Sequence, residues 1–184
     1  MEVIQTGISG LVQIIPKVYY DNRGWFQELY KASAYNSLVG NLDFLQDNIS
    51  FSNKGVLRGL HLQAGPSGQA KLVTVLTGKV LDVVVDLRTG SATFGKTYSL
   101  ELSAALRNML FVPAGFAHGF SAMEDSTFLY KCSREYDPTN ETGIIWNDVD
   151  LSIDWKNDSP AISEKDSALP TFQDLMRKSV ISQF

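Results

Sequence analysis

Alternation of hydrophobic and polar residues along the middle of the chain predicts β-strands. In segment 79–87 the odd positions from 81 onward are all leucine or valine and fall on one face, while Asp82 and Asp86 fall on the other. Segments 71–77 and 97–102 alternate in a similar way. A period of two residues is the period of a strand whose two faces meet different surroundings.

Short clusters of turn-forming residues separate these strands. They lie at 77–78, 89–91 and 137–140. Helical periodicity is weak and predicts two short helices, one at 33–40 and one at 169–179 within the C-terminal segment 169–184. Many short strands with few helices favour an all-β sandwich or barrel with a few short peripheral helices.

Length and composition indicate one globular domain over 1–184. The 184 residues are 44% hydrophobic and 11% aromatic, and the sequence shows no repeat, linker or low-complexity segment. The net charge of −4 argues against a nucleic-acid-binding protein, which would carry a basic surface. It leaves room for a small anionic ligand, which needs only a few local cations.

Cysteine content and apolar runs predict the compartment. Cys132 is the single cysteine and cannot form an internal disulfide, so we expect a reducing cytoplasm. No Lys or Arg precedes Lys17 and no long apolar run opens the chain, which argues against a signal peptide. No run approaches the ~20 apolar residues of a membrane span, so we expect no membrane association.

The two histidines of the chain lie in short motifs rich in glycine and aromatic residues. His61 lies in 55–63 and His118 in 112–120, each at the end of an apolar, strand-like run. Histidine is the side chain that exchanges protons most readily near neutral pH. Their shared context predicts one pocket equipped for acid–base chemistry.

Several segments, in the same order along the chain, resemble the dTDP-4-dehydrorhamnose 3,5-epimerase family. These segments are 21–28, 46–48, 55–61, 69–73, 82–88, 113–120, 130–132, 143–148 and 163–166. The resemblance covers nearly the whole chain and implies a cupin-type jelly-roll β-barrel, a homodimer and no cofactor. It implies an isomerase that inverts C3 and C5 of dTDP-4-dehydro-6-deoxyglucose, giving dTDP-4-dehydro-L-rhamnose for cell-surface polysaccharide.

The resemblance assigns roles in this proton-transfer reaction. It makes His61 the base that removes a proton beside the ketone, and Asp166 the carboxylate that orients His61. Tyr130 holds the position of the acid that returns a proton from the opposite face. Tyr136 is a second family position and remains a rival for that role.

Lys71 is the residue that distinguishes this chain from metal-binding cupins. Those proteins carry a His-x-His motif and then a glutamate seven residues before a glycine. Here Gln63 replaces the second histidine, and counting back from Gly78 reaches Lys71. A cation in the place of a carboxylate ligand would repel a divalent ion, so we predict no metal site. Lys71 can instead offset negative charge on an enolate or phosphate.

Arg58 resembles the family arginine that binds the diphosphate. In a regular strand, Arg58 and His61 would point to opposite faces because they are three residues apart. Gly59 lies between them, and glycines within strands often mark bulges. If both side chains act in one pocket, strand pairing near Gly59 must be irregular.

The remaining site residues are carried over from the family as substrate contacts. Arg23, Phe26 and Glu28 lie in a hairpin-like segment that, in the family, reaches into the partner subunit's pocket and contacts the nucleotide. Further expected contacts are Gln46, Asn48, Lys71, His118, Tyr136, Glu141 and Lys165. Asp82 and Asp86 are interpreted as structural hydrogen-bond partners.

Other functions stay open at this point. A mono-epimerase or ketoisomerase on a related 4-keto sugar nucleotide would differ mainly in pocket shape. A non-catalytic cupin that binds a sugar nucleotide is disfavoured by the joint presence of His61, Lys71, Tyr130 and Asp166. A metal-dependent cupin oxygenase is disfavoured by Gln63 and Lys71.

Overall fold

The computed structural model of the chain describes residues 1–40 and 42–177. Its strands are β1 (Glu2–Gln5), β2 (Val12–Ile15), β3 (Val18–Asp21), β4 (Gly24–Gln27), β5 (Gln46–Ser52), β6 (Leu57–Gln63), β7 (Lys71–Thr77), β8 (Lys79–Asp86), β9 (Thr97–Ser103), β10 (Met109–Val112), β11 (Phe116–Ala122), β12 (Ser126–Cys132) and β13 (Glu141–Gly143). Its helices are α1 (Ala32–Val39), α2 (Glu164–Ser167) and α3 (Phe172–Arg177), with a 3₁₀ turn at Gly65–Ser67.

Two antiparallel sheets form the body of the molecule. The six-stranded sheet has the order β1-β2-β10-β7-β12-β5, and the five-stranded sheet has the order β13-β6-β11-β8-β9. Strands β3 and β4 form a separate hairpin. Most neighbours within a sheet are distant in sequence, as in a jelly roll. The all-β, cupin-type jelly-roll prediction is therefore confirmed.

Apolar residues from both sheets meet in a shared inner core. Val73 and Phe128 reach it from the six-stranded sheet, and Val84 and Phe120 reach it from the five-stranded sheet. The phenyl rings of Phe120 and Phe128 stack with centroids 4.4 Å apart. This contact lies where the two sheets approach, next to the cavity described below.

Each sheet also has a covered outer face. On the five-stranded sheet, Val83 and Val85 pack with Trp155 and with Leu175 of α3. On the six-stranded sheet, Tyr35 of α1 joins an outer cluster that includes residues of β2, β7 and β10. Strand β8 is therefore buried on both faces, and its aspartates lie on the face opposite Val83 and Val85.

The helix predictions agree with the structure in part. Helix α1 lies within one residue of the predicted 33–40 and ends at Gly40, whose φ of 81° suits glycine. Helix α3 occupies only the middle of the predicted 169–179, while the part from residue 178 lies outside the described residues. None of the described helices is long and apolar enough to cross a membrane.

Candidate active site

Two adjoining cavities are lined by residues of both sheets. Their volumes are about 290 and 230 Å³. Both cavities are lined by His61, Lys71, Tyr130, Tyr136 and Glu141. Because one set of side chains lines both, we treat the two cavities as one site with two ends.

The histidines form one wall of this site. His61 on β6 and His118 on β11 are direct partners in the antiparallel register of the five-stranded sheet. Directly opposed residues place their side chains side by side on one face. The sheet thus brings together two residues that are far apart in sequence.

Two glycines allow this wall to form. The pairing of β6 with β11 shifts register between the pairs His118–His61 and Phe120–Arg58, so the irregularity predicted near Gly59 is confirmed. Gly59 has a φ of 106°, and a Cβ there would lie 2.6 Å from the Cα of Gly119. A Cβ on Gly119 would lie 2.5 Å from the carbonyl oxygen of Arg58. Only glycine fits this crossing, which lets Arg58 and His61 line the same cavity.

His61 is held by Asp166, as the resemblance implied. Its Nε2 lies 2.7 Å from Oδ1 of Asp166, and the backbone N–H of Gly59 donates to Oδ2 at 3.0 Å. Asp166 lies in α2, where Ser163 caps the helix by accepting from the Asp166 N–H. Burial opposes ionisation of Asp166, but the hydrogen bonds from His61 and Gly59 outweigh it and lower the pKa of this carboxyl. The bond to Nε2 leaves Nδ1 of His61 for the substrate.

His118 has a second buried aspartate as its partner. Its Nε2 lies 2.8 Å from Oδ2 of Asp82 on β8, and the side chains of His118 and Asp82 are 7% and 0% exposed. Asp82 is thus a hydrogen-bond partner, as expected from the sequence, but the sequence did not predict that its partner is His118. The diagonal placement of His118 and Asp82 follows from the β8–β11 register, which pairs Asp82 with Phe120 and His118 with Val84.

The facing wall belongs to the six-stranded sheet. It carries Lys71 on β7 and Tyr130 on β12. Burial lowers the pKa of Lys71, and electrostatic interactions with Cys132, Asp82 and Glu141 oppose part of that shift. Burial also raises the pKa of Tyr130, which keeps the phenol protonated at neutral pH. A half-buried ammonium and a phenol therefore face the two histidines.

A hydrogen-bonded group lies at the edge of the site. The Tyr136 hydroxyl donates to Oε2 of Glu141 at 2.6 Å, and the Lys165 ammonium donates to the same oxygen. Burial opposes ionisation of Glu141, yet these two hydrogen bonds lower its pKa overall. The bond from Tyr136 to Glu141 correspondingly raises the pKa of Tyr136. Tyr136 is 48% exposed, whereas Tyr130 is half-buried on a strand.

Arg58 and a pair of amides mark the two ends of the site. Arg58 lines only the first cavity, and its guanidinium donates to Ser52 Oγ at 2.9 Å and to the Phe51 carbonyl at 3.1 Å. Gln46 and Asn48 line only the second cavity, where the amide of Gln46 donates to Asn48 at 2.9 Å. The two ends of the site therefore differ chemically, with a cation at one end and uncharged amides at the other.

Gln63 and Lys71, which the sequence predicts in the positions of metal ligands, both line the site. Gln63 lines the second cavity, and its Oε1 accepts from the Asp137 N–H at 3.3 Å. Lys71 lines both cavities. Among residues 1–40 and 42–177, no group of three or more His, Cys, Asp or Glu side chains has the arrangement of a metal site.

Three predicted site residues lie away from these cavities. Arg23 is bonded to Asp21 at 2.6 Å within the β3–β4 hairpin, Phe26 is 64% exposed, and Glu28 lies 4.0 Å from Lys31. The structure does not bring them to the site within one chain. Their predicted role in a partner's pocket remains a prediction.

Asp86, the other aspartate of β8, has a structural role, as predicted. Its carboxylate accepts two bonds from the Arg88 guanidinium and one each from Ser91 and Thr93. The two aspartates share a strand face but serve different surroundings. Their sequence context does not separate them, because only the strand pairing places His118 beside Asp82.

Proton transfer from both sides of one ligand is the chemistry that this geometry allows. His61 and His118 stand on the wall formed by the five-stranded sheet, and Tyr130 and Lys71 stand on the other. A neutral imidazole can accept a proton and a phenol can return one. The Lys71 ammonium, on the same wall as the phenol, can stabilise negative charge that develops on an oxygen.

Comparison with known proteins agrees with this chemistry. The family model described as dTDP-4-dehydrorhamnose 3,5-epimerase matches residues 5–174. The enzyme of that name from Escherichia coli (strain K12) is 43% identical over 185 residues, covering 99% of this chain and 100% of the relative. The crystal structure of the enzyme from Elizabethkingia anophelis NUHP1 is 47% identical with a TM-score of 0.90, covering 95% of this chain and 97% of that chain.

A further solved structure contains a sugar nucleotide. It is the dTDP-6-deoxy-D-glucose-3,5-epimerase of Legionella pneumophila Philadelphia 1 in complex with dTDP-4-keto-L-rhamnose. It is 42% identical with a TM-score of 0.93, and the match covers 97% of this chain and 96% of that chain. The two walls of acid–base groups therefore belong to an isomerase, and the chain is a member of the dTDP-4-dehydrorhamnose 3,5-epimerase family.

Proposed function

We propose that the protein inverts C3 and C5 of dTDP-4-dehydro-6-deoxyglucose and releases dTDP-4-dehydro-L-rhamnose. The observation that carries this proposal is the placement of His61 and Tyr130 on opposite walls of one site. Inversion requires a proton to leave one face of the ring and another to arrive on the opposite face. The sugar nucleotide bound by the Legionella relative supports this class of substrate.

Each inversion begins at His61. With Nε2 on Asp166, Nδ1 takes the proton from the carbon beside the ketone. The C–H electron pair moves into the enolate, and the negative charge gathers on the ketone oxygen. Lys71 stabilises that oxygen, while Asp166 stabilises the imidazolium that has formed.

Tyr130 completes the inversion. Its hydroxyl gives a proton to the same carbon from the other wall, the enolate returns to the ketone, and a tyrosinate remains. Exchange with solvent returns the proton to Tyr130 and removes one from His61. Repetition at the second carbon, after the sugar turns within the site, accounts for a double inversion with one base and one acid.

Arg58 fits the role of diphosphate ligand in this reaction. It lies at the cationic end of the site and is fixed by two hydrogen bonds to β5. A planar guanidinium suits two phosphate oxygens at once. This places the sugar toward His61 and Tyr130.

The decisive experiment is incubation with dTDP-4-dehydro-6-deoxyglucose in D₂O, followed by NMR. We expect deuterium at both C3 and C5 and the accumulation of dTDP-4-dehydro-L-rhamnose. Deuterium and inversion at C3 alone would indicate a mono-epimerase. Binding of dTDP without exchange at either carbon would indicate a non-catalytic binding protein and would refute the proposal.

We also infer that the protein is a homodimer in which Arg23–Glu28 completes the partner's site. The exposed aromatic residues of the β3–β4 hairpin, including Trp25 and Phe26, support a surface that becomes covered. Mixing and reassembling Arg23→Ala and His61→Asn chains tests it. If Arg23 acts across the interface, mixed dimers contain one intact site and regain activity, whereas action within one chain gives no recovery.

The compartment and pathway belong to the same proposal. A cytoplasmic enzyme would find its sugar-nucleotide substrate in solution, and its product would serve the synthesis of cell-surface polysaccharide. Fractionation of cells that produce the protein tests the first statement. Loss of rhamnose from surface polysaccharide after gene deletion, restored by the wild-type chain, tests the second.

A further inference from the structure

The carboxylate of Asp82 has an unusual environment. Its side chain is 0% exposed, and Oδ2 lies 2.8 Å from Nε2 of His118. The second oxygen, Oδ1, is buried and has no hydrogen-bond partner within the described part of the chain. Asp166 differs because both of its oxygens are bonded, one to His61 and one to the Gly59 N–H. The imidazole of His118 is therefore the hydrogen-bond partner on which Asp82 depends.

This environment favours a charged pair. A buried carboxylate with one neutral hydrogen bond is poorly compensated, whereas a proton on the imidazole converts the contact into a charge-assisted bond. The other charged or titratable groups around the site are Arg58 and His61 on β6, Lys71 on β7, Tyr130 on β12, and Tyr136, Glu141 and Lys165 at its edge. Of these, Lys71 interacts electrostatically with Asp82 across the site. In the described residues, none of these is within ion-pair distance of Asp82.

His118 also directs a ring nitrogen that is free to bind a ligand. Nδ1 has no hydrogen bond to the residues described and is not among the buried atoms that lack a partner. His118 lines the same cavity as Arg58, and it is absent from the lining of the Gln46–Asn48 end. An imidazolium here would add a second donor near the cationic end of the site.

We propose that Asp82 is a positioning residue that holds His118 as an imidazolium, with Nε2–H on the carboxylate and Nδ1–H donated to an anionic oxygen of the bound sugar nucleotide. This inference rests on the proposed function for its ligand. His61 acts as a neutral base and His118 as a permanent donor, although both are histidines beside an aspartate. The anionic oxygen belongs either to the diphosphate or to the enolate.

The charge of His118 can be measured directly because the chain has two histidines. Labelling with ¹⁵N-histidine in a His61→Asn background leaves the ring of His118 as the single signal pair. We expect both ring nitrogens to be protonated at pH 7.5. A neutral imidazole at that pH would overturn the proposal, and this measurement requires no substitution of Asp82.

The Asp82→Asn variant tests whether the charge of Asp82 keeps His118 protonated. It keeps the side-chain volume and removes the negative charge, so we expect His118 to become neutral at pH 7.5. Asp86→Asn is the matched control, since Asp86 is equally buried on the same strand face but bonds Arg88 instead. An Asp82→Asn protein whose His118 stays protonated would contradict the role of Asp82, as would an equal change in Asp86→Asn.

Binding and exchange measurements then show whether His118 contacts the diphosphate or the enolate oxygen. In an otherwise wild-type chain, Asp82→Asn should cause a loss of about three- to thirty-fold, which is about 0.7–2 kcal/mol at 1.4 kcal/mol per decade. A loss in dTDP affinity by calorimetry identifies the diphosphate, and a loss confined to the rate of C3 and C5 exchange identifies the enolate. Unchanged affinity and exchange would refute a substrate role for the pair. Failure of the wild-type chain to turn over would refute the proposed function without altering the NMR result.

Discussion

His61 and Asp166 come from a strand and a helix 105 residues apart in sequence, whereas His118 and Asp82 come from adjacent strands of one sheet. The first imidazole is 30% exposed to the site and the second is 7% exposed. Asp166 receives support from a backbone N–H, whereas one oxygen of Asp82 has no hydrogen bond within residues 1–40 and 42–177. The same two residue types are therefore in unlike surroundings, and surroundings decide how a titratable pair behaves.

In the proposed mechanism, this difference gives the two histidines separate tasks. Asp166 is satisfied by the protein, so His61 can lose and regain a proton during turnover without leaving a buried charge unpaired. Asp82 lacks such support among the described residues, and in our proposal this keeps His118 in one protonation state. A catalytic base must change its state in each cycle, and a donor to an anion must not.

The largest effect is expected when each histidine is replaced by asparagine. A general base contributes ~10²–10⁴-fold, so we expect His61→Asn to reduce the rate of C3 and C5 exchange by at least that range. His118→Asn keeps the base and should retain more activity than His61→Asn. Exchange in D₂O measures both, and retained exchange at both carbons in His61→Asn would show that His61 is not the sole base.

Tyrosine substitutions sharpen the assignment of the opposite wall. Tyr130→Phe removes one hydroxyl from a half-buried ring and leaves His61 intact. We expect deuterium exchange to continue while inverted product falls by ~10²-fold or more, because His61 returns the proton to its original face. Tyr136→Phe is the control, since Tyr136 is exposed and bonded to Glu141. Normal inversion in Tyr130→Phe would transfer the donor role to Tyr136 or water.

Arg58→Ala tests whether binding and chemistry are separate along the site. Loss of a charge-assisted contact of about 1.5–3 kcal/mol corresponds to a rise in KM of roughly ten- to a hundred-fold. If the contact is equal in the ground and transition states, kcat should change little. Steady-state kinetics decide the matter, and a collapsed kcat with normal KM would assign Arg58 to the chemistry.

The pH dependence of folding gives a smaller effect for Asp166. Its pKa is lowered in the folded state, so its ionised form stabilises the fold above the ordinary pKa near 3.8. That stabilisation is lost as the pH falls below this value. In urea unfolding measured between pH 7 and pH 3, the free energy of unfolding should decrease less for Asp166→Asn than for wild type. An identical slope in both proteins would contradict the assigned shift.

Chelation should have the smallest effect of all. Because Gln63 and Lys71 occupy positions at which metal-binding cupins carry ligands, we expect unchanged activity after treatment with EDTA. Activity assays combined with elemental analysis measure this. Activity that falls on chelation and returns with Zn²⁺, Fe²⁺ or Mn²⁺ would refute it, and would also require a new account of both histidines.

Local pattern was sufficient for three of the strands and for one irregularity. Alternation identified β7, β8 and β9, because residues one apart must enter different surroundings. The conflict between Arg58 and His61 required a break at Gly59, and the register shift lies there. Helix α2 was not predicted, since its four residues carry too little periodicity.

The sequence by itself determined the family, and it predicted the residue types of the site and, from Gln63 and Lys71, the absence of a metal ion. The family resemblance already implied the pair of Asp166 with His61, whereas tertiary structure alone placed Asp82 beside His118 and showed which sheet carries each group. The contact of Asp166 with His61 depends on packing, which brings a helix against a distant strand. The contact of Asp82 with His118 depends on the register of two paired strands. The hydrophobic pattern of a strand predicts which face a residue occupies. Its neighbour on the next strand is set by the order and register of the strands in the folded sheet.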